Sequence, residues 1–307
     1  MYSRSGLAAL LAMVTAIGHS VATMPASAAD DKVTIRRSLV YAVHDGTKLV
    51  GDLYLPAGRG KAPALIAMHG GGWRGGDRRF YKYWGPFLAR HGFALFSIEY
   101  RLGASGVYPA AIYDVKAAIQ FVRAKAAEFD IDPDRIGLMG DSAGGYLAAM
   151  LALAGDRFTT AYRGDANAAL SVNVKAVVGF YGIYDMLAQW KQDMRVTPGD
   201  SITEDFLGAS PSSNRQIYGE SSPISYATPD RNTVRFLLIH GDRDSLVDPA
   251  TQSGAFNAAL TRSGSVSRLV LIPGAEHYWA SDPFENDRRS FGAIAAPSVL
   301  QFLEGAL

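Results

Sequence analysis

The 307-residue sequence contains no cysteine. The chain therefore cannot form disulfides, carry a lipid on a cysteine, use a thiol as nucleophile or bind a metal through thiolates. An excess of one charge is also lacking, because 30 Lys and Arg are balanced by 29 Asp and Glu, for a formal net charge of +1. We therefore expect neither a nucleic acid nor an acidic membrane surface as a partner. With 48% hydrophobic residues, the chain can bury a core of ordinary size.

The apolar stretch near the N-terminus is too short for a membrane span. It runs from Gly6 to Gly18, thirteen residues, whereas a span needs about 20. It follows Arg4 and precedes the small-x-small site Ala26-Ser27-Ala28, an order typical of a secretory signal peptide. We predict a signal peptide over residues 1–28, cleaved after Ala28, rather than a membrane anchor. The mature chain, residues 29–307, is then expected in the periplasm or outside the cell, with no membrane partner.

Short apolar segments alternate with helical patterns along most of the chain. Near-continuous apolar strands separated by helices are typical of a parallel sheet covered by helices on both faces. The predicted strands are Ala64–His69, Phe93–Tyr100, Arg135–Gly140, Val174–Tyr181, Val234–His240 and Ser267–Ile272. Apolar residues recur at helical spacing from Ile112 to Val122. Ahead of all these, Val33–Leu55 has the pattern of an antiparallel pair that turns at Asp45-Gly46.

Residues 182–231 interrupt this alternation with a stretch rich in Ser, Pro, Asp and aromatic residues. A connection of that length inside a compact domain is usually functional. We therefore predict a partial cap over the functional site and not a second domain. The last helix is predicted over about Ala295 to Leu303, with Gly305 as its stop signal.

The segment Gly140–Gly145 contains the pattern G-x-S-x-G. It follows a predicted strand and precedes a predicted helix, Tyr146 to Leu153, which is the context of a nucleophile elbow. The glycines leave room for a sharp bend, and Ser142 lies at the start of a helix whose dipole favours developing negative charge. We predict Ser142 as a nucleophile; an ordinary glycine-rich turn is the alternative.

A second glycine run, His69–Trp73, follows another predicted strand. Acyl transfer needs hydrogen-bond donors that point at the developing oxyanion, and consecutive glycines expose their backbone N–H groups. We predict an oxyanion hole formed by the N–H groups of Gly71, Gly72 and Ala143, the last being the residue after the nucleophile. His69 itself is predicted to be a structural residue of the loop.

A serine nucleophile needs a base, and the base needs a carboxylate that orients it. In a fold with this elbow, the chain order is serine, acid, histidine. His277 is the one histidine that follows the last predicted strand, and it is therefore the predicted base. The acid is expected just after the strand that ends at His240. Asp242, Asp244 and Asp248 compete there, and their spacing does not separate them.

These motifs, with a few others, give the sequence a resemblance to a known family. They are His69–Trp73, Tyr100–Leu102, Tyr108–Ala110, Asp114, Ile131–Ile136, Gly140–Gly145, His240–Pro249 and Gly274–His277. From residue 49 onward the chain resembles the hormone-sensitive-lipase-like α/β-hydrolase esterases, most closely their bacterial feruloyl-esterase-like branch. The resemblance implies the α/β-hydrolase fold, Asp244 as the catalytic acid and a structural pairing of Arg101 with Asp114. The sequence departs from the family at Gly103–Gly106, where relatives of the lipase-like branch usually carry Pro-Glu, and the departure concerns the edge of the pocket.

The predicted function is that of a secreted serine esterase. It would hydrolyse carboxylic esters through Ser142, His277, Asp244 and an acyl-enzyme, with no metal and no cofactor. The expected substrate is a small-molecule ester or an ester linked to a polysaccharide. One alternative is an amide hydrolase on the same fold, such as a formamidase or a peptidase. A non-enzymatic adhesion module is the other, although such proteins typically lack a triad residue.

Four aromatic residues are predicted to contact the substrate: Trp73, Tyr184, Trp190 and Trp279. They belong to three regions that converge above the C-terminal edge of the sheet. Their rings would form a flat apolar slot that suits a short acyl chain or an aryl group such as hydroxycinnamoyl. Packing of Tyr184 and Trp190 inside the cap itself is the alternative.

Overall fold

The computed structural model describes residues 33–58, 60–159 and 165–307. The strands within these ranges are β1 (Thr34–His44), β2 (Thr47–Leu55), β3 (Ala62–Met68), β4 (Ala94–Ile98), β5 (Ile131–Asp141), β6 (Ala176–Phe180), β7 (Arg235–Gly241) and β8 (Ser267–Ile272). They form one sheet in the order β1-β2-β4-β3-β5-β6-β7-β8. β2 runs antiparallel to both β1 and β4, and the remaining neighbours are parallel. This is the mostly parallel sheet that the sequence predicts.

The N-terminal hairpin is also confirmed. Asp45 and Gly46 connect β1 to β2 and have φ values of 48° and 78°, so both lie in the left-handed region. A two-residue turn of this kind matches the right-handed twist of the strands that it joins. Glycine adopts the conformation without steric cost, and aspartate tolerates it.

Helices cover both faces of the sheet. They are α1 (Trp84–Arg90), α2 (Ala110–Ala124), α3 (Ala143–Ala154), α4 (Met186–Val196), α5 (Ile202–Leu207), α6 (Arg215–Glu220), α7 (Ala255–Arg262) and α8 (Phe291–Ala306). Alternate residues of β3 point to opposite faces: Ile66 packs in a core with α2, α3 and α7, whereas Leu65 packs in a core with α1 and α8. Since both faces are buried, the central strand β3 is apolar along its whole length, in line with the near-continuous apolar run in the sequence.

The last helix differs from its prediction at both ends. It begins at Phe291 because the hydroxyl of Ser290 accepts a hydrogen bond from the N–H of Ala293 and caps the first turn. It also continues through Gly305 to Ala306, so the prediction that Gly305 ends the helix was wrong. The helix tolerates glycine there because Leu303, two residues earlier, is buried and holds the end of the helix against the sheet.

The segment predicted as a partial cap, residues 182–231, contains three of the helices: α4, α5 and α6. Each begins with a side-chain cap, from Asp185, Ser201 and Asn214 respectively. The predicted signal peptide, residues 1–28, lies outside the described residues. Among the helices of the described ranges, none is both long and apolar enough to cross a membrane.

Candidate active site

Ser142 occupies a strained turn between β5 and α3. Its φ of 51° and ψ of −118° are rarely adopted by residues other than glycine. The flanking glycines make the turn sterically feasible: a Cβ on Gly140 would lie 2.2 Å from the carbonyl oxygen of Gly144, and a Cβ on Gly144 would lie 1.9 Å from that of Met68. The G-x-S-x-G pattern is therefore a packing requirement of this turn, which presents the serine hydroxyl at the carboxyl edge of the sheet.

Three of the predicted site residues form one hydrogen-bonded chain. Nε2 of His277 lies 3.0 Å from Oγ of Ser142, and Nδ1 of the same ring lies 2.6 Å from Oδ2 of Asp244. These distances are within the range for direct hydrogen bonds. The imidazole can thus take a proton from the hydroxyl on one side while the carboxylate fixes its orientation on the other.

The surroundings of Asp244 keep its carboxylate ionised. Its Oδ1 accepts hydrogen bonds from the backbone N–H groups of Leu246 and Val247, each at 2.9 Å. Burial opposes ionisation, but hydrogen bonds from His240, His277 and the backbone outweigh it and hold the pKa of Asp244 well below its usual range. A carboxylate that stays charged at neutral pH can stabilise an imidazolium beside it.

The other two aspartates of the same loop have different partners. Asp242 accepts a hydrogen bond from the N–H of Gly274 at 2.7 Å, and Asp248 accepts from the N–H and hydroxyl of Thr251, each at 2.8 Å. Asp242 thus links two loops, and Asp248 caps the turn that leads into α7. Asp244 is the aspartate of this loop that contacts His277.

The glycine loop after β3 is held open beside Ser142. Gly71 and Gly72 have φ values of 110° and 59°, and a Cβ on Gly71 would lie 2.3 Å from a backbone oxygen of Gly75. Within the described residues, the N–H groups of Gly71, Gly72 and Ala143 donate no backbone hydrogen bond. Ala143 is the first residue of α3, and the N–H groups in the first turn of a helix have no acceptor within the helix. These three N–H groups are therefore the candidate donors of the predicted oxyanion hole.

His69 supports this loop from below. Its Nδ1 lies 2.7 Å from the carbonyl oxygen of Gly70, and its ring stacks on Tyr100 at a centroid distance of 4.5 Å. Burial lowers the pKa of His69, which favours the neutral ring with its proton on Nδ1. The ring contacts loop backbone and not Ser142, in line with the structural part predicted for it.

Two residues of the site were missed by sequence reasoning. Asp141, next to the nucleophile, is buried and accepts a hydrogen bond from the hydroxyl of Tyr81 at 2.9 Å. Burial raises the pKa of Asp141 to about 7, although the bond from Tyr81 opposes the rise. Tyr181 packs its ring against His277 at a centroid distance of 4.4 Å. A one-dimensional pattern carries no signal for either contact, because each joins segments that lie far apart in the chain.

Ser142 and His277 open into a cavity of about 300 Å³. The lining includes Gly71, Gly72 and Arg74 from the glycine loop, and Leu246, Val247 and Tyr278 from the loops that carry Asp244 and His277. The remaining wall comes from the α4–α5 region and comprises Gln189, Asp193, Val196, Thr197, Asp200 and Ile202. The lining therefore mixes apolar side chains with neutral and charged polar ones.

Hydrogen bonds fix the α4–α5 wall in place. Asp193 accepts from the hydroxyls of Ser201 and Thr203 at 2.9 and 2.7 Å, which joins the two helices. Gln189 donates to the carbonyl oxygen of Leu246 at 3.0 Å and so ties α4 to the loop that carries Asp244. The segment 182–231 thus packs directly on the loop that carries Asp244.

The structure does not form the predicted aromatic slot. Tyr184 is fully buried and stacks on Phe256 at a centroid distance of 4.4 Å, and Trp279 is buried with its ring edge against Tyr181. Tyr184 packs in the core that contains α3 and α7, Trp279 packs in the core that contains α1 and α8, and neither ring lines the cavity. The closeness of Trp279 to His277 in the sequence was misleading, because the turn at Tyr278 directs the indole of Trp279 into the core.

Trp73 and Trp190 also lie away from the cavity wall. Trp73 stacks on Phe206 at 4.2 Å and lines a separate cavity of about 290 Å³ beside the first. Trp190 donates a hydrogen bond from its indole N–H to Glu204 at 2.6 Å, which joins α4 to α5. These two rings therefore pack around the site without lining its cavity, and among the described residues Tyr278 is the aromatic side chain that lines the Ser142 cavity.

The pairing of Arg101 with Asp114 is confirmed. The guanidinium makes several hydrogen bonds to the carboxylate, the shortest at 2.8 Å, and both side chains are buried. The pair anchors the chain just after Tyr100, whose hydroxyl donates to the carbonyl oxygen of His69 at 2.7 Å. Next in the chain, Gly103 donates to the carbonyl oxygen of Trp73 at 2.8 Å, so the segment that departs from the family pattern borders the second cavity.

Comparison with known proteins agrees with this architecture. The BD-FAE family model matches residues 51–260. Esterase LipC of Mycobacterium tuberculosis is 34% identical over 226 residues, which cover 70% of this chain and 53% of LipC. The chain spans about half the length of the curated relatives that it matches.

Two solved structures share the fold. A truncated carbohydrate esterase from gut microbiota is 25% identical with a TM-score of 0.68, over 89% of this chain and 96% of that one. An esterase from Thermogutta terrifontis has a TM-score of 0.71 at 22% identity, over 87% of this chain and 91% of that one. Together with the sheet order and the elbow, these likenesses establish the α/β-hydrolase fold. The chain belongs to the BD-FAE family, among the hormone-sensitive-lipase-like α/β-hydrolase esterases.

Proposed function

We propose that the protein hydrolyses carboxylic esters with Ser142 as its nucleophile. The observation that carries the proposal is the chain of contacts from Asp244 through His277 to Ser142, with distances of 2.6 and 3.0 Å. This series of side-chain contacts ends at the hydroxyl of Ser142, in a cavity next to the backbone N–H groups of Gly71, Gly72 and Ala143. Nucleophile, base, orienting acid and oxyanion donors are the parts that acyl transfer requires. The family's named esterases agree with this activity.

The first half of the reaction forms an acyl-enzyme. His277 accepts the hydroxyl proton of Ser142 as Oγ attacks the ester carbonyl, and Asp244 stabilises the resulting imidazolium. The imidazolium then protonates the leaving alcohol as the carbon–oxygen bond of the ester breaks. In the second half, His277 accepts a proton from water, the water attacks the acyl group, and Ser142 leaves with the proton that His277 returns.

The negative oxygen of both tetrahedral intermediates accepts hydrogen bonds from the N–H groups of Gly71, Gly72 and Ala143. These donors are backbone groups held by the strained glycine loop and by the start of α3, so they need no reorganisation when the charge develops. Removal of one such donor in other acyl-transfer enzymes costs about 10²–10³ in kcat. Backbone donors cannot be deleted by mutation, so the triad offers the sharper test.

The decisive variant is Ser142→Ala. We expect kcat on p-nitrophenyl acetate to fall by at least about three orders of magnitude with the fold intact. Ser212→Ala is the matched control, because Ser212 is exposed on the loop before α6. Activity of Ser142→Ala within about tenfold of wild type would overturn the assignment. Hydrolysis rates measured in parallel on an aryl ester and on the matched anilide show which leaving group the enzyme prefers. Faster hydrolysis of the anilide would make the protein an amide hydrolase.

We further propose that the substrates are esters of short acyl chains or of aryl acids. A cavity of about 300 Å³ is at the lower end of the range for small-molecule sites. This size, and not an aromatic slot, is the basis of the proposal. The alcohol part would extend from the mouth of the cavity, where a small-molecule or polysaccharide-linked alcohol can be accepted; one structural relative is named a carbohydrate esterase. On p-nitrophenyl esters of increasing length, with methyl ferulate alongside, kcat/KM should peak at short chains, and a maximum at about ten carbons or more would contradict it.

We propose that the protein is exported. The support is the sequence pattern that predicts cleavage after Ala28, with residues 29–307 as the mature catalytic domain and residues 182–231 as its partial cap. Export would place the enzyme in the periplasm or outside the cell. Mass spectrometry of the protein from the periplasmic and culture fractions should give a first residue of Ala29; an intact Met1 would contradict the proposal.

A further inference from the structure

A second histidine contacts the carboxylate of Asp244. His240, at the end of β7, is fully buried, and its Nε2 lies 3.2 Å from Oδ2 of Asp244 and 2.9 Å from the carbonyl oxygen of Val247. Its Nδ1 lies 2.7 Å from the hydroxyl of Ser253. The oxygen that His240 contacts is the same Oδ2 that accepts the hydrogen bond of His277.

These contacts determine where the proton of His240 lies. Both partners of Nε2 are acceptors, a carboxylate and a carbonyl, so Nε2 must carry hydrogen. Nδ1 can then be unprotonated, because the hydroxyl of Ser253 is able to donate to it. With hydrogen on Nε2 and none on Nδ1, both ring nitrogens have hydrogen-bond partners in this buried place.

We propose that His240 is a positioning residue that fixes the carboxylate of Asp244 for catalysis. The inference rests on the proposed function, since Asp244 acts through His277. Four hydrogen bonds hold Asp244: two backbone donors on Oδ1 and two imidazole donors on Oδ2. His240 is the one donor that reaches the carboxylate from β7, so it ties the catalytic acid to the sheet. The hydrogen bond from His240 to the carbonyl oxygen of Val247 also fixes the position of Val247, which lines the cavity.

The chemistry of the side chains supplies graded variants. In His240→Gln, the amide nitrogen can reach the place of Nε2 and still donate to Asp244. The shorter amide in His240→Asn reaches the place of Nδ1, near Ser253, and leaves Asp244 without this donor. His240→Leu removes all three polar contacts. His91→Gln and His91→Leu are matched controls, because His91 is exposed beyond α1 and its ring bonds a carbonyl of that helix.

The experiment measures kcat and KM on p-nitrophenyl acetate per active site. Active sites are counted by the p-nitrophenol released when a p-nitrophenyl phosphonate reacts with the enzyme, so unfolded molecules do not contribute. We expect His240→Leu and His240→Asn to lose about 10- to 100-fold in kcat with KM within about twofold of wild type, the size typical of groups that orient a catalytic residue. His240→Gln should recover most of the loss. The downfield proton resonance of the Nδ1–H of His277 should persist in His240→Gln and broaden in His240→Asn.

Wild-type kcat per site in His240→Asn or His240→Leu would overturn the proposal, as would a His240→Gln variant no better than His240→Asn. If His240→Leu does not fold, the Gln and Asn variants decide by themselves. Failure of the proposed function looks different: the phosphonate would then not react at Ser142 in the wild-type enzyme. Lower thermal stability with unchanged kcat per site would show that His240 is only structural.

Discussion

Replacing Asp244 by Asn tests the acid of the site through its hydrogen bonds. The carboxylate accepts four hydrogen bonds, from two imidazoles and two backbone N–H groups. Asparagine has a single acceptor oxygen, so its NH₂ group must face either the imidazoles or the backbone donors. With NH₂ toward His277, the ring is driven to the tautomer that carries hydrogen on Nε2. That nitrogen can then no longer accept the proton of Ser142.

The expected loss is about 10⁴ in kcat, close to 5 kcal/mol of transition-state stabilisation, with little change in KM. Asp242→Asn and Asp248→Asn are the matched controls, because these carboxylates bond Gly274 and Thr251 and not His277. Each control should stay within about threefold of wild type. The assay is steady-state hydrolysis of p-nitrophenyl acetate at neutral pH, with circular dichroism to check the fold. An Asp244→Asn enzyme within tenfold of wild type, or a larger loss in Asp248→Asn, would refute the reasoning.

Three further predictions concern stability. The pKa of Asp141 is about 7 against an ordinary 3.8, so the folded state binds this proton more tightly and the free energy of unfolding falls as pH rises from about 4 to about 7. Asp141→Asn removes this loss, so in urea unfolding the free energy of unfolding of the variant should gain on that of the wild type by up to roughly 4 kcal/mol between pH 4 and pH 8. A difference that does not change with pH would contradict the assignment. Gly144→Ala would place Cβ 1.9 Å from a backbone oxygen of β3 and should destabilise by about 3 kcal/mol or more, whereas Gly305→Ala, with open space around it, should be neutral or slightly stabilising in thermal unfolding. Asp114→Ala breaks the buried pair with Arg101 and should cost about 3 kcal/mol in the free energy of unfolding, and a cost below about 1 kcal/mol would contradict the anchoring role of the pair.

The sheet and the catalytic chain could be predicted because they depend on patterns that act locally. Apolar runs such as Ala64–Met68 form central strands since both faces of a parallel sheet are buried. The glycines around Ser142 are required by a turn in which any Cβ would meet backbone. The α/β-hydrolase order of serine, acid and histidine then placed His277, and the family resemblance chose Asp244 among three aspartates.

The aromatic slot could not be predicted because the direction of a side chain is a tertiary property. Trp279 lies two residues from His277, yet a residue with φ of 71°, Tyr278, separates them and directs the indole into the core. Tyr184 follows β6 and packs on α7 through Phe256. Asp141 was likewise missed because its contact with Tyr81 joins segments sixty residues apart.

The most direct test of the account is the site of covalent modification. Wild-type protein treated with a p-nitrophenyl phosphonate should gain the mass of one phosphonyl group, and tandem mass spectrometry should locate it on the peptide that contains Ser142. Ser142→Ala should gain none, and His277→Ala should react far more slowly, because the hydroxyl then has no base within 3.0 Å. An adduct on another residue in the wild-type protein, or equal labelling of Ser142→Ala, would contradict the account.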